Sequence, residues 1–565
     1  MIFEAKEIAA ILRNFRRKKE YYKLKNGETI KLDPQSWQEL SDFAENQNIS
    51  PEELSGGEVT LPMQQLFSLA AEKLPVHFDG DVQAIRQRFR DRRPENFVLP
   101  QAAKKLLKPY QIEGVQFLKL LESLNLNGIL ADDMGLGKTL QTLTVLAEWR
   151  DKPSLVICPA SLIYNWRDEA ARFFPEMKVA CVLGGKEERC RLWQAAGEYQ
   201  LLVTGYDYLL RDLPEIRERS FYYVILDESQ RIKNMQTKSA KAAKLLTSEH
   251  RLALSGTPIE NNLAELWSVF DFLMPGYLCS YVRFRKKLEL PIVRGEQSEA
   301  AARLKALTSP FILRRLKKDV LTDLPEKVEK VFTVELTAEE RRVYAALEAS
   351  VSRTIRTLLG ENGGEIGVEV LALLTRLRLL CCDRSLAEAG VHQSGSKVKA
   401  CIRLVRDLLG QNQQILIFSS FTKVLDLLAV ELDRLHLSYR ILQGATPKEE
   451  RHQAVQDFQA GRFGVFLISL KAGGTGLNLT EAQAVIHFDP WWNKAAMNQA
   501  TDRAYRIGQR QAVSVYSMIV ADSIEERIFE LQNKKWRLAE QFIDGDGQAL
   551  QKLSAEEFME LFRRE

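Results

Sequence analysis

Long hydrophobic runs are missing from this sequence of 565 residues. Its longest apolar stretches, such as 222–226 and 415–418, are the length of a β-strand and fall far short of the roughly 20 residues that cross a bilayer. The N-terminus reads Met1-Ile-Phe-Glu-Ala-Lys and lacks the basic stretch, apolar core and small-residue cleavage site of an export signal. We therefore expect no membrane segment and no export, and predict a cytoplasmic protein.

Clustered cysteines and a strong charge of one sign are missing as well. The seven cysteines form no Cys-x-x-Cys pair and no zinc-type grouping with histidine, so we expect a reducing compartment and no structural metal. The net charge is only +4, so a basic surface for nucleic acid must be local. The content of 45% hydrophobic and 27% charged residues is typical of a globular protein, and the length predicts roughly three to five folded units.

Short apolar runs separated by helical patterns predict parallel sheets wrapped by helices. The first set of predicted strands lies at 128–131, 155–158, 201–204, 222–226 and 252–254. The second set lies at 415–419, 465–469, 485–489 and 513–519, and the stretch between the two sets is predicted to be mainly helical. The predicted α/β architecture has an N-terminal appendage at 1–100, a first lobe at 101–260, helical protrusions at 261–395, a second lobe at 396–525 and C-terminal helices at 526–565.

The appendage is predicted to begin with a helix that carries Ile8, Ile11 and Leu12 on one face. A hairpin should follow, because alternating apolar residues flank Asn26-Gly27, a pair suited to a tight hairpin turn. The basic run at 86–93 fits either a phosphate-binding face or a solvated helix surface, and charge pattern does not separate the two.

A glycine-rich loop follows the first predicted strand of the first lobe. Residues 132–139 read Asp-Asp-Met-Gly-Leu-Gly-Lys-Thr and lead into a predicted helix, the context in which such a loop binds phosphate. Asp132 stands where the strict pattern has glycine, so the match is to a looser version. Gln111, in Lys108-Pro-Tyr-Gln, is suited to contact adenine through its amide. The predicted nucleotide-binding residues are Gln111, Met134, Gly135, Leu136, Gly137, Lys138 and Thr139.

A pair of carboxylates ends another predicted strand of this lobe, where open parallel sheets bind their ligands. We predict that Asp227 holds Mg²⁺ together with the hydroxyl of Thr139, and that Glu228 orients or deprotonates the attacking water. Lys138 is predicted to neutralise the β and γ phosphates. The segment Ser255-Gly-Thr-Pro258 follows a further strand and is a candidate for coupling this site to movement.

The second lobe carries two arginines three residues apart, in Arg503-Ala-Tyr-Arg506-Ile-Gly-Gln. Such arginines can stabilise transition-state charge from across a cleft, although an isolated pair is more often part of a salt-bridged surface helix. A second glycine-rich loop at 469–479 is suited to bind a phosphate of nucleic acid or ATP. Beside it, Trp491 and Trp492 fit either buried packing or contact with nucleic acid.

In this order, the motifs resemble the switch/sucrose-nonfermenting (SWI/SNF-type) ATPases of helicase superfamily 2, over roughly residues 105–530. Especially specific are 132–139, Pro159-Ala-Ser-Leu-Ile-Tyr-Asn-Trp166, Phe311-Ile-Leu-Arg-Arg-Leu-Lys-Lys-Asp-Val320 and the Arg-Ile-Gly-Gln ending. The appendage is similar to the region associated with bacterial members. The resemblance implies two RecA-like lobes with helical protrusions between them, use of ATP and Mg²⁺, and translocation on duplex DNA without strand separation.

The resemblance also implies a set of DNA-contacting residues. They should bind the sugar-phosphate backbone, which positions a protein without reading sequence. This predicted set is Pro159, Ser161, Thr204, Gly205, Lys471, Gly474 and Thr475, with Trp492 added as a candidate.

Two other functions stay open at this point. One is a strand-separating DNA or RNA helicase built on the same core, which needs a wedge that the sequence does not reveal. The other is a non-catalytic scaffold that docks DNA, against which the intact set of Lys138, Asp227, Glu228, Arg503 and Arg506 argues. For the translocase, the expected partners are double-stranded DNA in the bacterial nucleoid and a DNA-bound protein such as a polymerase.

Overall fold

The computed structural model describes residues 5–533 except 18, 20, 25–27, 33–36, 38–40, 42–43, 45–48, 57, 68–79, 92–93, 95–98, 100, 149–150, 257–262, 294–297, 322–324, 362–367, 389, 391–393, 474–476, 492–493 and 507. Fifteen strands form two parallel sheets and one antiparallel hairpin in this part of the chain. This architecture confirms the predicted α/β fold with two parallel-sheet lobes.

The first lobe contains a sheet of seven parallel strands in the order β5-β6-β4-β7-β8-β3-β9. Its strands are β3 (Gly128–Leu130), β4 (Ser154–Cys158), β5 (Val179–Val182), β6 (Leu201–Gly205), β7 (Ser220–Leu226), β8 (Thr247–Leu254) and β9 (Ile312–Leu313). The last of these comes from the segment between the lobes. It pairs with β3, the strand that leads into the glycine-rich loop.

The second lobe contains a sheet of six parallel strands in the order β10-β15-β14-β11-β13-β12. Its strands are β10 (Lys327–Val334), β11 (Ile415–Ser419), β12 (Tyr439–Leu442), β13 (Val465–Ser469), β14 (Ala484–His487) and β15 (Val513–Val520). The segment between the lobes therefore contributes an edge strand to each sheet, β9 to the first and β10 to the second. The sequence indicated a mainly helical segment and did not indicate these two strands.

Helices cover the sheets and make up most of the segment between the two lobes. In the appendage and first lobe they are α1–α12, at Ala5–Arg16, Pro51–Ser55, Gly80–Asp91, Gln101–Leu106, Pro109–Ser123, Lys138–Leu146, Ile163–Phe173, Lys186–Gln194, Tyr206–Arg211, Leu213–Arg217, Lys238–Lys244 and Leu263–Leu273. Further along the chain are α13–α24, at Tyr281–Phe284, Leu290–Val293, Ser298–Thr308, Lys317–Val320, Ala338–Glu361, Val368–Cys382, Ser396–Gly410, Thr422–Arg434, Lys448–Gln459, Leu470–Gly473, Lys494–Thr501 and 524–533. Within the described ranges, none of the helices is long and apolar enough to cross a bilayer.

Alternate residues of a strand point to opposite faces of its sheet, and in the second sheet the side chains on both faces of the central strand β11 are buried. In β11, Ile415 and Ile417 join one hydrophobic cluster, whereas Leu416 and Phe418 join another. Each fully buried side chain of this kind contributes roughly 1.5–3 kcal/mol of hydrophobic stabilisation. The double-sided burial explains why these strands read as unbroken apolar runs in the sequence.

The appendage contains the predicted helix, α1, and the predicted hairpin. In the hairpin, β1 (Tyr21–Lys23) pairs antiparallel with β2 (Thr29–Lys31), so that Tyr22 faces Ile30. The turn residues Asn26 and Gly27 lie outside the described residues. The later part of the appendage joins the first lobe, because Phe67 and Phe89 belong to that lobe's hydrophobic core.

His487, at the end of β14, is a buried titratable group of the second lobe. Its side chain is only 4% exposed, and Nε2 lies 2.9 Å from the hydroxyl of Thr501. Burial lowers the pKa of His487 to about 4, and nearby Asp489 and Glu329 offset this only in part. The imidazole is therefore neutral in the folded protein at neutral pH.

We expect His487 to make the protein acid-sensitive. The unfolded imidazole binds a proton near its ordinary pKa of 6.5, whereas the folded one binds it only near 4, so protonation favours unfolding as the pH falls. This linkage amounts to about 2 kcal/mol of unfolding free energy between pH 7 and pH 5. His487→Gln should remove that part of the pH dependence in urea unfolding. His452→Gln, on the exposed face of α21, should keep it, and equal pH dependence in both variants would contradict the assignment.

Candidate active site

The glycine-rich loop joins β3 to α6 and depends on two glycines with positive φ. Gly135 has φ of 85° and Gly137 has φ of 78°, values that side chains disfavour. Space is also short, because a Cβ on Gly137 would lie 2.4 Å from Nε2 of Gln111. A Cβ on Gly135 would lie 2.7 Å from Cβ of Arg506 in the second lobe. The loop therefore packs closely against both its own lobe and the opposite one.

Lys138 opens α6 and turns its ammonium back into the loop. Nζ donates hydrogen bonds to the carbonyls of Asp132 and Asp133, at 2.6 and 3.4 Å. The next residue, Thr139, is half-buried in the first turn of the helix, where backbone N–H groups and the helix dipole favour an anion. The lysine and the helix terminus thus supply positive charge at one point.

Gln111 is buried and bonds the backbone of the glycine-rich loop. Its Nε2 donates to the carbonyl of Leu136 at 3.0 Å, and its Oε1 accepts from the backbone N–H of Lys108 at 2.9 Å. The hydroxyl of Tyr110 donates to the same Leu136 carbonyl at 3.1 Å. The amide is engaged with the protein on both sides, so adenine binding by Gln111 stays a prediction.

Asp132 stands where the strict loop pattern has glycine, and its charge is paired with a buried arginine. Its carboxylate is fully buried and accepts from Nε of Arg315 at 2.9 Å, with a second contact to Nη2. Arg315 also donates to the side chain of Gln141 at 2.8 Å and contacts the carbonyl of Tyr110. One guanidinium from the segment between the lobes therefore joins the loop to α5 and α6.

Asp227 directly follows β7, and its carboxylate is held in a fixed orientation. Oδ2 accepts from the indole N–H of Trp166 at 2.9 Å, and Oδ1 accepts from the backbone N–H of Glu228 at 2.9 Å. Burial, and then the neighbouring charge of Glu228, raise the pKa of Asp227 to about 7. A cation at this position would relieve that electrostatic cost.

Glu228 has backbone φ of 51°, an uncommon conformation for a residue with a side chain. Such backbone strain is often found at functional sites. Its Oε2 accepts from Nε2 of Gln230 at 2.7 Å, and Oε1 of Gln230 accepts from the hydroxyl of Ser255 at 3.3 Å. The segment predicted to couple the site to movement is thus joined to Glu228 through one side chain; Thr257 and Pro258 lie outside the described residues.

The two arginines of the second lobe lie against the loop of the first. Arg503 is 4% exposed, and its Nη2 lies 4.0 Å from Sδ of Met134. Burial lowers the pKa of Arg503 to about 10, an effect that Glu228 partly offsets, so the group stays charged at neutral pH. Residues 502–506 form turns and bends after α23, so the two arginines do not lie on a helix.

Arg506 is half-buried and also lies beside the first lobe. Burial lowers its pKa, and Glu169 of α7 partly offsets the effect. Among the described residues, its buried Nε has no hydrogen-bond partner. A buried donor of this kind is costly unless a ligand satisfies it, and an oxygen of a phosphate group would do so.

Trp491 lies in the segment after β14, which Arg378 of α18 holds in place. Nη2 of Arg378 donates to Asp489 at 3.1 Å and to the carbonyl of Pro490 at 2.8 Å. The guanidinium also lies over the ring of Trp491, 5.3 Å from its centroid. Trp491 is therefore packed, in line with the commoner of the two roles considered, whereas Trp492 lies outside the described residues.

The predicted DNA contacts of the first lobe lie at the carboxyl ends of two neighbouring strands, with Pro159 and Ser161 directly after β4 and Thr204 and Gly205 at the end of β6. An added Cβ on Gly205 would lie 3.7 Å from Cα of Ala160, so the two segments touch. Ser161 is half-buried, but Pro159 and Gly205 are buried. Thr204 is fully buried and donates its hydroxyl to the carbonyl of Val182 at 3.1 Å, so its side chain is not available to DNA in this structure.

In the second lobe, Lys471 is exposed on α22, directly after β13. Gly474 and Thr475 lie outside the described residues. DNA contact by this group and by the first-lobe residues stays a prediction.

Comparison with known families gives three consecutive matches along the chain. These are the bacterial SNF2 helicase associated region at residues 3–100, the SNF2-related domain at 110–386 and the helicase conserved C-terminal domain at 396–508. The chain belongs to the SNF2 family. This membership confirms the resemblance to SWI/SNF-type ATPases and accounts for both lobes and the appendage.

Two curated relatives of this chain are named as ATP-dependent helicases. The putative ATP-dependent helicase/translocase YwqA of Bacillus subtilis is 37% identical over 83% of this chain and 52% of its own length. An uncharacterised ATP-dependent helicase of Mycoplasma genitalium is 36% identical over 81% of this chain and 44% of its own length. The chain thus spans about half the length of these relatives. A Sulfolobus solfataricus SWI2/SNF2 ATPase core solved with double-stranded DNA is 36% identical, covering 80% of this chain and 96% of that one, with a TM-score of 0.41.

Sequence reasoning missed the residues that support the predicted ones. Trp166 and Arg315 stand inside segments that the resemblance had marked, and Gln230 lies two residues after Glu228, yet no role was assigned to them. The available signal was chemical, since polar or aromatic side chains in a motif next to buried carboxylates are candidates to bond them.

Arg315→Met should destabilise the first lobe. It leaves the carboxylate of Asp132 buried without its cation, which costs about 3–5 kcal/mol. The double variant Asp132→Asn, Arg315→Met removes the unpaired charge and should recover much of the loss. Urea unfolding of the three proteins tests this, and a double variant that is less stable than Arg315→Met alone would contradict the ion-pair explanation.

Proposed function

We propose that the chain is an ATP-driven translocase on double-stranded DNA, which remodels or displaces bound protein without separating the strands. The proposal rests on the contact between the lobes. Arg503 and Arg506 of the second lobe lie against the glycine-rich loop of the first, residues 132–139, which we call the phosphate loop. A hydrolysis site divided in this way links the chemical step to the relative position of the lobes.

The binding half of the site belongs to the first lobe. ATP would bind with its phosphates at the N-terminus of α6, where Lys138 exchanges the loop carbonyls for phosphate oxygens. Gln111 and the loop from Met134 to Gly137 would surround the nucleotide. The position of Lys138 inside the loop supports this, since its ammonium already faces the space enclosed by the backbone.

The residues present fit Mg²⁺. Thr139 offers a hydroxyl and Asp227 a half-buried carboxylate, and hard oxygen ligands of this kind suit the ion. When bound, Mg²⁺ would supply charge neutralisation for the phosphates. Trp166 would keep the carboxylate of Asp227 oriented for that role.

Hydrolysis itself needs a base and a source of positive charge in the transition state. Glu228 would orient a water molecule and accept its proton as the water oxygen bonds to the γ-phosphorus and the bond to the ADP oxygen breaks. Arg503 and Arg506 would stabilise the charge on the phosphoryl oxygens. Loss of the γ-phosphate would then weaken the attraction between the lobes and permit opening.

Movement along DNA would follow from alternating grips by the two lobes. The proposed contacts are the residues at 159–161 and 204–205 in the first lobe and those at 471–475 in the second, with exposed Lys471 as a phosphate-binding charge. The name of the relative YwqA, a putative helicase/translocase, supports this choice. The expected setting is the bacterial nucleoid, and the expected obstacle is a DNA-bound protein such as a polymerase.

Glu228→Gln should abolish most ATP hydrolysis and leave nucleotide binding intact. Loss of a general base typically lowers turnover by about 10²-fold or more, whereas the amide keeps the shape of the side chain. Turnover and affinity for a fluorescent ATP analogue should be measured side by side. Glu198→Gln, an exposed substitution in the same lobe, is the matched control. Wild-type turnover in Glu228→Gln would reject its role as the base.

Duplex DNA should stimulate ATP hydrolysis more than single-stranded DNA or RNA does. A translocase should also displace the third strand of a DNA triplex while leaving the underlying duplex paired. Strand separation, or stimulation by single-stranded RNA alone, would favour the helicase alternative. DNA binding with no ATP hydrolysis under any condition would favour the docking scaffold.

A further inference from the structure

The connector of residues 311–317 runs alongside the phosphate loop. Its strand β9 pairs with β3, and the pairing continues beyond the strands, with the N–H of Ala131 donating to Leu313 at 2.7 Å and that of Asp133 to Arg315 at 3.0 Å. At its start, the ring of Phe311 lies 5.0 Å from that of Phe67 and 6.3 Å from that of Phe89. The connector is thus fixed along its length to the first lobe.

Lys317 ends the connector and reaches the second lobe. Its backbone N–H donates to Oδ2 of Asp133 at 3.0 Å, which joins it to the phosphate loop. Its Nζ donates to the carbonyl of Tyr505 at 2.7 Å and contacts the carboxylate of Asp502. Lys317 is only 8% exposed, so this bridge is shielded from water.

Each of the two partners of Lys317 directly precedes one of the predicted catalytic arginines. Asp502 comes before Arg503, and Tyr505 comes before Arg506. A single ammonium therefore contacts the side chain of the residue before Arg503 and the backbone of the residue before Arg506. The aliphatic end of the same side chain approaches Gly135, since an added Cβ there would lie 3.7 Å from Cε of Lys317.

The burial of Lys317 is electrostatically demanding. Desolvation lowers its pKa, and the charge of Asp502 partly offsets this, so the ammonium depends on its partner in the other lobe. Opening of the lobes would expose both groups to water and separate them. The contact is consequently specific to the arrangement in which the arginines meet the phosphate loop.

We propose that Lys317 is a positioning residue for ATP hydrolysis, which holds the Asp502–Arg506 segment in register with the phosphate loop. This inference rests on the proposed function. It assigns Lys317 no contact with substrate. Its effect passes through Arg503 and Arg506.

The test compares Lys317→Met, Asp502→Asn, the double variant and Lys317→Arg with wild type. Lys305→Met, an exposed substitution on α15, is the matched control. Lys317→Met should lower kcat by about tenfold or more, less than the ~10²–10³-fold typical of removing a group that contacts the transition state. The KM for ATP should change little, because the binding half of the site is intact.

The double variant distinguishes a shared bridge from two separate effects. If Lys317 and Asp502 act as one unit, the double variant should have nearly the same kcat as Lys317→Met. Lys317→Arg keeps the charge and should recover part of the turnover. Multiplying effects, or a lower affinity for ATP with unchanged kcat, would overturn the positioning role.

A readout that does not need activity separates this inference from the proposed function. Small-angle X-ray scattering of the nucleotide-free proteins should give a larger radius of gyration for Lys317→Met than for Lys305→Met, because the bridge between the lobes is lost. If wild type hydrolyses no ATP, the proposed function fails and the scattering alone decides the bridge. If Lys317→Met equals Lys305→Met in both turnover and radius, the inference is overturned whatever the wild-type rate.

Discussion

The ion pair between Asp132 and Arg315 is the interaction on which the site depends most. A carboxylate at the end of β3 is fully buried, and its cation comes from 183 residues further along the chain. Burial without that partner would cost several kcal/mol, so the connector must pass beside the phosphate loop. From this constraint follow the pairing of β9 with β3, the anchoring of α5 and α6, and the position of residue 317 between the lobes.

The interior strands could be predicted from sequence and the edge strands could not. All five interior strands of the first sheet and all four of the second coincide with predicted apolar runs. The missed strands β5, β9, β10 and β12 are the four sheet edges. An edge strand is less buried, as the mostly exposed β10 illustrates, and β9 is only two residues long, so neither leaves an apolar signature.

In the candidate site too, some residues could be predicted from sequence and others could not. Lys138, Asp227 and Glu228 were predictable because each belongs to a short motif at the end of an apolar strand. Their supporting contacts were not, because Trp166 meets Asp227 across 61 residues and nothing in local spacing encodes that distance. The same holds for Thr204, for which the resemblance implied a DNA contact, whereas its buried hydroxyl donates to the carbonyl of Val182 in a neighbouring strand.

Desolvation shifts the pKa values of charged groups in the two lobes in opposite directions. On the first lobe it raises the pKa of Asp227, and on the second it lowers the pKa of Arg503. Each shift reflects a charge removed from water without full compensation. In the proposed cycle, a nucleotide with its metal ion would compensate both, since phosphate oxygens suit the arginines and a cation suits the carboxylate. The free energy of binding would then favour closure of the lobes, because only the closed arrangement brings both charges to the same ligand.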